Sequence, residues 1–326
     1  MKFAVVGVGG VGGYYGGRLA EGHCEVSFLA RGRSLQALLA HGLSIKSALG
    51  DVSLHDLKTT DRPEAIGPVD VVLLCIKAYD LEAVATSLMP LLHDDTAVLC
   101  TQNGVDAVDR LTPLLTRGHL LGAVVYGNTM LTEPGKVTHV GTLARLRIGG
   151  QNDLAQELSA EISGVFRSSG VDAQVAGDID AALWTKFVLF SAMSAASCLA
   201  DLATGPLRVD PDYRAMLKRG MRETAAVARA HGVKLEPDIV ESSLSIVDEM
   251  AAESVPSMLL DLRAGRRLEI EHLSGTVVRL GNLLGIDVPF HSAAYGALKH
   301  QAKAVSYTHL RAHETRHDLV CRLLLE

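Results

Sequence analysis

Residues 2–31 read KFAVVGVGGVGGYYGGRLAEGHCEVSFLAR, and this stretch predicts the fold class of the first half of the chain. The apolar run 2–6 has the composition of a buried strand, and glycines at the G-x-G-x-x-G spacing follow it at once. A helix-like segment, 14–21, comes next. A strand, a glycine turn and a helix in this order bind dinucleotides, because open N–H groups at the helix N-terminus hold the pyrophosphate. The predicted cofactor-binding glycines are Gly7, Gly9, Gly10 and Gly12.

Three of these glycines have separate physical roles in the fingerprint. Gly7 permits a tight turn, Gly9 lets the backbone approach a pyrophosphate, and Gly12 lets helix and strand pack closely. A purely structural glycine-rich turn is the alternative. The strand before the turn and the helix after it favour a dinucleotide site.

The end of the second predicted strand indicates which dinucleotide binds. Residues 25–30 (EVSFLA) run into Arg31-Gly32-Arg33, where NAD-binding proteins normally carry an acid that bonds the ribose. A carboxylate there repels a 2′-phosphate, whereas a guanidinium pairs with it. We therefore predict NADPH as the cofactor, with Arg31 the first candidate for its phosphate and Arg33 the second. A solvated basic turn is the alternative.

Composition and charge argue against several other classes of protein. The 326 residues are 48% apolar, enough for two domains, and a net charge of −6 without a basic run disfavours a nucleic-acid partner. We expect no membrane span, which needs roughly 18 apolar residues, and no signal peptide. The five cysteines form no C-x-x-C pair, as expected of reduced thiols in a cytoplasmic protein. A metal site has little support.

Residues 305–326 read VSYTHLRAHETRHDLVCRLLLE, and we interpret them as a non-native, adapter-derived tail. The segment resembles a translated transposase-type sequencing adapter and the primer that follows it. A genuine amphipathic helix is the alternative. Because fusion sequence is excluded from fold reasoning, we assign no function to its apparent metal cluster of His309, His313, His317 and Cys321.

Strands and helices alternate in the first half, which predicts an α/β fold with a parallel, doubly wound sheet. After the first two strands, the predicted strands are 69–76, 96–101 and 119–126. Segments 137–139 and 143–148, after the Pro134-Gly135 turn, are expected to form a hairpin that closes the sheet. The further predicted helices are 34–41 and 81–92.

From residue 178 onward the pattern is helical, with breaks at Gly205-Pro206, Gly232 and Gly285. We therefore predict an NADP-binding Rossmann-type domain at 1–177 and an all-helical substrate and catalytic domain at 178–304. The apolar faces at 225–230 and 277–284 are either core, which we favour, or the surface of a homodimer.

Polar residues follow two of the predicted strands at the edge where ligands bind in open α/β sheets. Lys77 and Asn103 each come directly after such a strand. Both could meet the nicotinamide end of the cofactor or the substrate. Capping roles at the surface are the alternative for each.

The second domain contains a lysine in a strongly apolar helix, Lys186 in LWTKFVLF. Apolar surroundings lower the pKa of an ammonium, which suits a general acid, although an ordinary snorkelling lysine is equally compatible with the pattern. Glu269 lies between Leu268 and Ile270. It could pair with Lys186 and set its protonation state, or form a plain i,i+4 helix pair.

Taken together, these segments resemble the ketopantoate reductase (2-dehydropantoate 2-reductase) family over residues 1 to about 304. The segments that carry the resemblance are VGVGGVGG, LARGR, CIKAYD, TQNGVD, PGKVTHVG, LWTKF and SMLLDLRAGRRLEIEHLSG. The resemblance implies a Rossmann domain, a helical domain and an active site in the cleft between them. It also implies NADPH-dependent reduction of a 2-oxo acid to the 2-hydroxy acid, on the route to pantothenate and coenzyme A.

The resemblance also implies roles for five residues. Lys186 is the expected general acid that protonates the developing alkoxide, and Glu269 is expected to orient it and to bond the substrate hydroxyl. Asn103 and Lys77 are expected to line the cofactor and substrate site, and Ser257 to bind the substrate carboxylate.

Three positions depart from the family pattern. The best-known members carry substrate-binding asparagines one and two turns after the lysine, where this chain has Phe190 and Ser194. A third such asparagine corresponds to Thr204. Each lost polar contact typically costs about 1–3 kcal/mol if its partner stays buried and unpaired. Phe190 adds an apolar wall that suits a bulkier or less polar 2-oxo acid.

The sequence is therefore compatible with three functions, two of them enzymatic and one a binding function. The first reading is a reductase for ketopantoate. The second is a related NAD(P)H-dependent 2-oxo acid reductase, or a dehydrogenase for hydroxy or N-substituted amino acids. The third is a non-catalytic NADP(H)-binding regulator, which would need neither Lys186 nor Glu269.

Overall fold

A computed structural model of the protein describes residues 1–302, so the predicted tail at 305–326, with its histidines and cysteine, lies outside the described residues. The chain divides into two compact units between Leu183 and Trp184, inside one long helix, Ile179–Ala200. The domain boundary proposed at 177/178 stays a prediction.

In the described chain, ten strands of the first unit form one sheet. In chain order they are β1 (Lys2–Val6), β2 (Glu25–Leu29), β3 (Leu43–Ser47), β4 (Val52–Leu54), β5 (Lys58–Thr60), β6 (Val71–Leu74), β7 (Ala97–Cys100), β8 (His119–Glu133), β9 (Lys136–Gly149) and β10 (Asp172–Val175). Their order across the sheet is β4-β3-β9-β8-β7-β6-β1-β2-β5, with β10 paired to the second half of β9.

The predicted α/β class is confirmed, but the sheet is mixed. Strands β8, β7, β6, β1, β2 and β5 are parallel, whereas β8–β9 and β3–β4 are antiparallel. The predicted hairpin is also corrected. Residues 137–139 and 143–148 belong to the single strand β9, whose hairpin partner across the 134–135 turn is β8. This hairpin does not close the sheet, because β3 and β10 continue it.

The first unit carries helices between its strands, and one long helix leads on into the second unit. The helices are α1 (Gly10–Glu21), α2 (Gly32–His41), α3 (Pro63–Ile66), α4 (Leu81–Ala85), α5 (Ala107–Leu111), α6 (Asp153–Ser168) and α7 (Ile179–Ala200). Those that follow in the second unit are α8 (Thr204–Val209), α9 (Pro211–Ala230), α10 (Ile239–Glu249), α11 (Ser257–Arg263), α12 (Ser274–Leu284) and α13 (Pro289–Leu298). Short 3₁₀ turns lie at Ala78–Asp80, Thr86–Leu91, Ile270–His272 and Lys299–Ala302.

The central parallel strands are apolar on both faces because helices cover both sides of the sheet. Along β1, Phe3 and Val5 belong to one buried cluster, while Ala4 and Val6 belong to the cluster on the opposite face. This alternation follows from the two-residue period of a strand. The sheet core therefore holds the ends of β1, β2, β6 and β7 in fixed register.

Two helix predictions change at their ends. The helix predicted at 81–92 is the short α4 followed by the 3₁₀ turn Thr86–Leu91, which contains Pro90. Proline has no N–H to donate and breaks the α-helical pattern. Helix α1 begins at Gly10, not at Tyr14, because the fingerprint glycines form its first turn.

Within the described part of the second unit, 184–302, the regular elements are helical, which confirms the predicted helical C-terminal domain. One buried cluster contains Val188, Ala192 and Met221. The predicted apolar face at 225–230 is mainly core, since Ala225, Val227 and Ala228 are buried. At 277–284, Val277 is buried whereas Leu283 is 77% exposed, so this face is only partly core.

Helix α7 corrects the expectation that no segment is long and apolar enough to span a membrane. It has 22 residues, with a mean hydropathy of 1.4 in its most apolar window. However, 72% of that window is buried inside the protein. A helix that is apolar on all sides can be either a membrane span or the core helix of a folded domain.

Candidate active site

The turn between β1 and α1 has the geometry that the fingerprint requires. Gly7 has φ of +93°, a conformation that favours glycine, and a Cβ there would lie 2.8 Å from the carbonyl oxygen of Cys75. A Cβ at Gly12 would overlap the carbonyl oxygen of Gly7. Both positions therefore need glycine for the chain itself to pack.

Gly9 and Gly10 are neighbours with opposite surroundings. In the part of the chain that the structure describes, nothing lies within 4 Å of a Cβ built on Gly9. The first intrahelical bond runs from the Gly13 N–H to the Gly9 carbonyl at 2.8 Å, so earlier amides of α1 have no acceptor within the helix. A Cβ on Gly10, in contrast, would overlap the Thr129 carbonyl oxygen of β8. Gly9 thus borders open space, whereas Gly10 is required by packing.

Arg31 and Arg33 lie at the start of α2, directly beyond β2. Both are exposed. Among residues 1–302, no ion pair involves either guanidinium group. Two exposed arginines beside a dinucleotide-type turn can receive an anionic group.

Arg62 reaches the same edge of the sheet, which the sequence did not reveal. Strand β5 pairs with β2 so that Leu29 is opposite Thr60, and the Ala30 N–H donates to the Thr60 carbonyl at 3.0 Å. Arg31 and Arg62 therefore follow neighbouring strands in equivalent positions. Arg62 is exposed as well. The sequence did not predict a strand before Arg62, because β5 has only three residues, KTT.

Lys77 and Asn103 also follow neighbouring strands. The register pairs Leu74 of β6 with Cys100 of β7, and each polar residue comes three positions later. Both are half-buried. Both residues thus follow neighbouring strands at the sheet edge that also carries the glycine turn.

Gln102 holds this edge together and was not predicted. Its side chain is 7% exposed, and its Nε2 donates to the carbonyl oxygens of Leu74 at 2.8 Å and Ile76 at 3.2 Å. Ile76 directly precedes Lys77, so Gln102 ties the end of β7 to the backbone that carries the lysine. The quoted segment TQNGVD contained this residue, but only the register shows where its amide points.

In the second unit, Lys186 lies on α7 and is half-buried. Burial lowers its pKa from 10.5 to about 8, and the carboxylate of Glu269 partly opposes this by raising it. The ammonium nitrogen lies 4.9 Å from the centre of the Phe190 ring. The lysine can therefore donate or accept a proton near neutral pH, which the sequence predicted from its apolar surroundings.

Glu269 is 4% exposed and precedes the 3₁₀ turn Ile270–His272. It is therefore not part of an α-helix, and the alternative of a surface i,i+4 pair is wrong. The acid acts on Lys186 through its charge. The Glu269 carboxylate is thus near enough to influence the pKa of Lys186, and the roles predicted for the two residues stay predictions.

The other predicted substrate residues differ in their surroundings. Phe190 and Ser194 follow Lys186 at i+4 and i+8 on α7, so all three lie along one face of the helix. Ser194 is buried and Ser257, the first residue of α11, is exposed. The Thr204 hydroxyl donates to the Ser254 carbonyl at 2.9 Å, which occupies its proton. No hydrogen bond joins Ser194 or Ser257 to Lys186 among residues 1–302.

The residues of the first unit fit a phosphate-bearing dinucleotide. The space over Gly9, the amides at the start of α1 and the exposed guanidinium groups of Arg31 and Arg33 supply room, donors and positive charge. A strand, a glycine turn and a helix with these features are typical of the nucleotide-binding unit of a nicotinamide-dependent oxidoreductase.

Comparison with known proteins assigns the family. Residues 3–152 match the family described as "Ketopantoate reductase PanE/ApbA", and residues 178–302 match "Ketopantoate reductase PanE/ApbA C terminal". The chain belongs to the ketopantoate reductase family, as its resemblance predicted.

Three similar proteins cover nearly the whole chain. The "Uncharacterized oxidoreductase YkpB" of Bacillus subtilis is 30% identical, over 92% of this chain and 98% of its own. The 2-dehydropantoate 2-reductase of Halobacterium salinarum is 30% identical, over 89% and 95%. The crystal structure of the PanE/ApbA family ketopantoate reductase from Ralstonia eutropha has a TM-score of 0.84 and 34% identity, covering 93% and 98%.

Proposed function

We propose that this protein is a cytoplasmic NADPH-dependent reductase that converts 2-dehydropantoate to pantoate, a step toward pantothenate and coenzyme A. The observation that carries the proposal is the pair of Lys186 and Glu269 on the helical unit, with the pKa of the lysine lowered to about 8. Membership of the ketopantoate reductase family supports the reaction class, and relatives named 2-dehydropantoate 2-reductase support the substrate.

The proposed cofactor site lies at the carboxyl edge of the sheet. The amides at the start of α1, next to Gly9, would hold the pyrophosphate, and Arg31 would pair with the 2′-phosphate that distinguishes NADPH from NADH. Lys77 and Asn103 line the nicotinamide and substrate end. When bound, NADPH supplies a hydride to the keto carbon of the substrate.

Lys186 is the proposed general acid. Its ammonium donates a proton to the alkoxide oxygen that forms at the keto carbon, and the neutral amine then takes a proton from water. Glu269 keeps a negative charge near the ammonium and so favours the protonated form that the reduction consumes. Ser257 is the proposed donor to the substrate carboxylate.

Phe190 favours a second candidate function. It is an apolar ring where the best-known relatives carry an asparagine, and Thr204 has already used its hydroxyl proton. A 2-oxo acid with a branched or aromatic side chain would contact this ring without leaving a polar group unpaired. The second candidate is therefore reduction of a less polar 2-oxo acid, with the same residues in the same roles.

The test is NADPH oxidation at saturating cofactor with 2-dehydropantoate and, in parallel, with 2-oxo acids bearing isopropyl, isobutyl and benzyl groups. We expect kcat/KM of about 10⁴ M⁻¹s⁻¹ or more for the true substrate. A clear preference for 2-dehydropantoate supports the first function, and a preference for a larger apolar acid supports the second. NADPH binding without turnover of any of these acids contradicts both and supports a binding protein.

A further inference from the structure

A continuous set of hydrogen bonds runs through the core of the second unit. Ser191 Oγ on α7 lies 3.0 Å from Thr224 Oγ1 on α9, which lies 2.9 Å from Nε2 of His291 on α13. Nδ1 of His291 lies 3.1 Å from Oγ of Ser274, the first residue of α12. All four residues are 0% exposed. We call these four residues the buried polar chain.

The protons of the buried polar chain can be assigned from its acceptors. Burial lowers the pKa of His291 to about 4, so the ring is neutral at physiological pH and carries one N–H. Nε2 also lies 3.1 Å from the Gly220 carbonyl, which can only accept. Nε2 is therefore the protonated nitrogen, and Nδ1 accepts from the Ser274 hydroxyl. Thr224 donates to the Gly220 carbonyl at 3.1 Å and accepts from Ser191.

The middle of the buried polar chain is rigid. Glu223 accepts from the N–H groups of Phe290 at 2.9 Å and His291 at 3.0 Å, which fixes the first turn of α13 against α9. A Cβ built on Gly220 would lie 2.5 Å from the Phe290 ring and 3.0 Å from Cβ of Ala192. Helices α7, α9 and α13 thus meet with no spare room, and a shift of one is transmitted to the others.

The two ends of the buried polar chain lie on the segments that carry the proposed acid and its partner. Ser191 is five residues beyond Lys186 on α7, and Ser274 is five residues beyond Glu269. Resting on the proposed function, we propose that Thr224, His291 and Ser274 are positioning residues that hold Lys186 and Glu269 in register. Burying four polar side chains in a helical core is unfavourable unless every member is satisfied, so loss of one member disturbs the rest.

Two network variants and two matched variants test this. Thr224→Val removes the central hydroxyl at nearly constant volume, and Thr224→Ser keeps it. Ser274→Ala removes the hydroxyl at Nδ1 of His291. Ser47→Ala is its control, since Ser47 Oγ likewise lies 2.9 Å from Nδ1 of a buried histidine, His139, in the first unit.

The primary readout needs no turnover. The rate at which Lys186 is acylated by acetic anhydride is followed against pH, with the modified peptide measured by mass spectrometry. We expect Thr224→Val and Ser274→Ala to move the midpoint of this pH profile by about half a pH unit or more. The reason is that a changed distance from Lys186 to Glu269 changes the pKa of the lysine. Thr224→Ser and Ser47→Ala should keep the wild-type midpoint. NADPH affinity, measured by fluorescence, should be unchanged in all four.

Turnover provides the second readout. With the substrate found in the screen, Thr224→Val should lower kcat by about threefold or more while KM changes less, and Thr224→Ser should restore kcat. If Thr224→Val and Ser274→Ala lower the melting temperature but leave both the Lys186 midpoint and kcat unchanged, the buried polar chain is only structural and the proposal is wrong. If wild type turns over no 2-oxo acid, the proposed function fails, while the acylation midpoints still decide the positioning role.

Discussion

The ammonium nitrogen of Lys186 lies 4.9 Å from the centre of the Phe190 ring, one helical turn further along α7. The face of an aromatic ring attracts a cation, typically by about 0.5–2 kcal/mol. Phe190 therefore favours the charged lysine, while burial favours the neutral one. A residue that we propose to line the substrate pocket thus also affects the pKa of the proposed proton donor.

Two substitutions separate these effects of Phe190. Phe190→Leu keeps an apolar wall but removes the ring face, so we expect the pKa of Lys186 to fall and the alkaline limb of kcat to move to lower pH. Phe190→Asn restores a polar group. It should raise the ratio of kcat/KM for 2-dehydropantoate over a branched apolar 2-oxo acid by roughly tenfold. Steady-state kinetics with both acids measures this, and an unchanged ratio would place Phe190 outside the pocket.

The pH dependence of the reaction follows from Lys186. Its pKa is lowered from 10.5 to about 8, so the ammonium is present below pH 8 and is lost above it. Since reduction consumes the ammonium, kcat should be flat below pH 8 and fall toward tenfold per pH unit above it. The reverse oxidation, which needs the neutral amine, should rise over the same range. A reduction rate that stays constant to pH 10 would rule out Lys186 as the acid.

Removing the charge of Glu269 should shift the alkaline decrease of kcat, its alkaline limb, to lower pH. The Glu269 carboxylate raises the pKa of Lys186, so Glu269→Gln should lower that pKa further and move the alkaline limb of kcat below pH 8. Glu253→Gln is the control, because Glu253 is an exposed acid of the same unit. Lys186→Ala should lower kcat by about 10²–10⁴-fold at every pH. A Glu269→Gln limb at or above the wild-type position would contradict the electrostatic role.

Cofactor selectivity should depend on the arginines beyond β2 and β5. Arg31→Ala removes the proposed partner of the 2′-phosphate, so Kd for NADPH should rise roughly tenfold or more while Kd for NADH stays nearly constant. Arg33→Ala and Arg62→Ala should have smaller effects in the same direction. Fluorescence titration with both cofactors measures each variant. Equal weakening of NADPH and NADH would instead indicate general damage to the nucleotide site.

Neighbouring glycines of the turn should respond oppositely to alanine. Gly10→Ala overlaps the Thr129 carbonyl oxygen and should lower the free energy of unfolding by about 1–3 kcal/mol. Gly9 has φ of −86° and room for a Cβ, so Gly9→Ala should keep stability but weaken NADPH binding. Chemical denaturation and cofactor titration of both variants separate folding from binding. A stable Gly10→Ala protein would show that β8 can move away from the turn.

Much of the fold and of the candidate site could be predicted because the signals are local in the sequence. The strand, glycine turn and helix of residues 2–21 are contiguous, and Lys186 lies within a single apolar helix. The positions of Lys77 and Asn103 beyond the ends of neighbouring strands followed from a general rule about where ligands bind in parallel sheets.

Other features depend on contacts between distant residues. Strands β3, β4, β5 and β10 contain polar residues (LSIKS, VSL, KTT and DAQV), so they lack the apolar run that marks β6 and β7 in the sequence. The position of Arg62 near Arg31 follows only from the register of β5 on β2. The structural role of Gln102 follows only from the two carbonyl oxygens to which its amide donates. The buried polar chain joins four helices, and each member alone reads as an ordinary small or polar residue of a helix.

The pairing of Ser44 in β3 with Lys136 in β9 has a consequence for biosynthesis. On the ribosome, β3 emerges long before β9, the strand that pairs with its other edge, whereas β1, β2, β5, β6 and β7 can already associate. The nascent chain therefore exposes an unpaired strand edge until β9 is made, and unpaired edges recruit other chains. Completion of the β8–β9 hairpin is thus the step that covers this edge of β3.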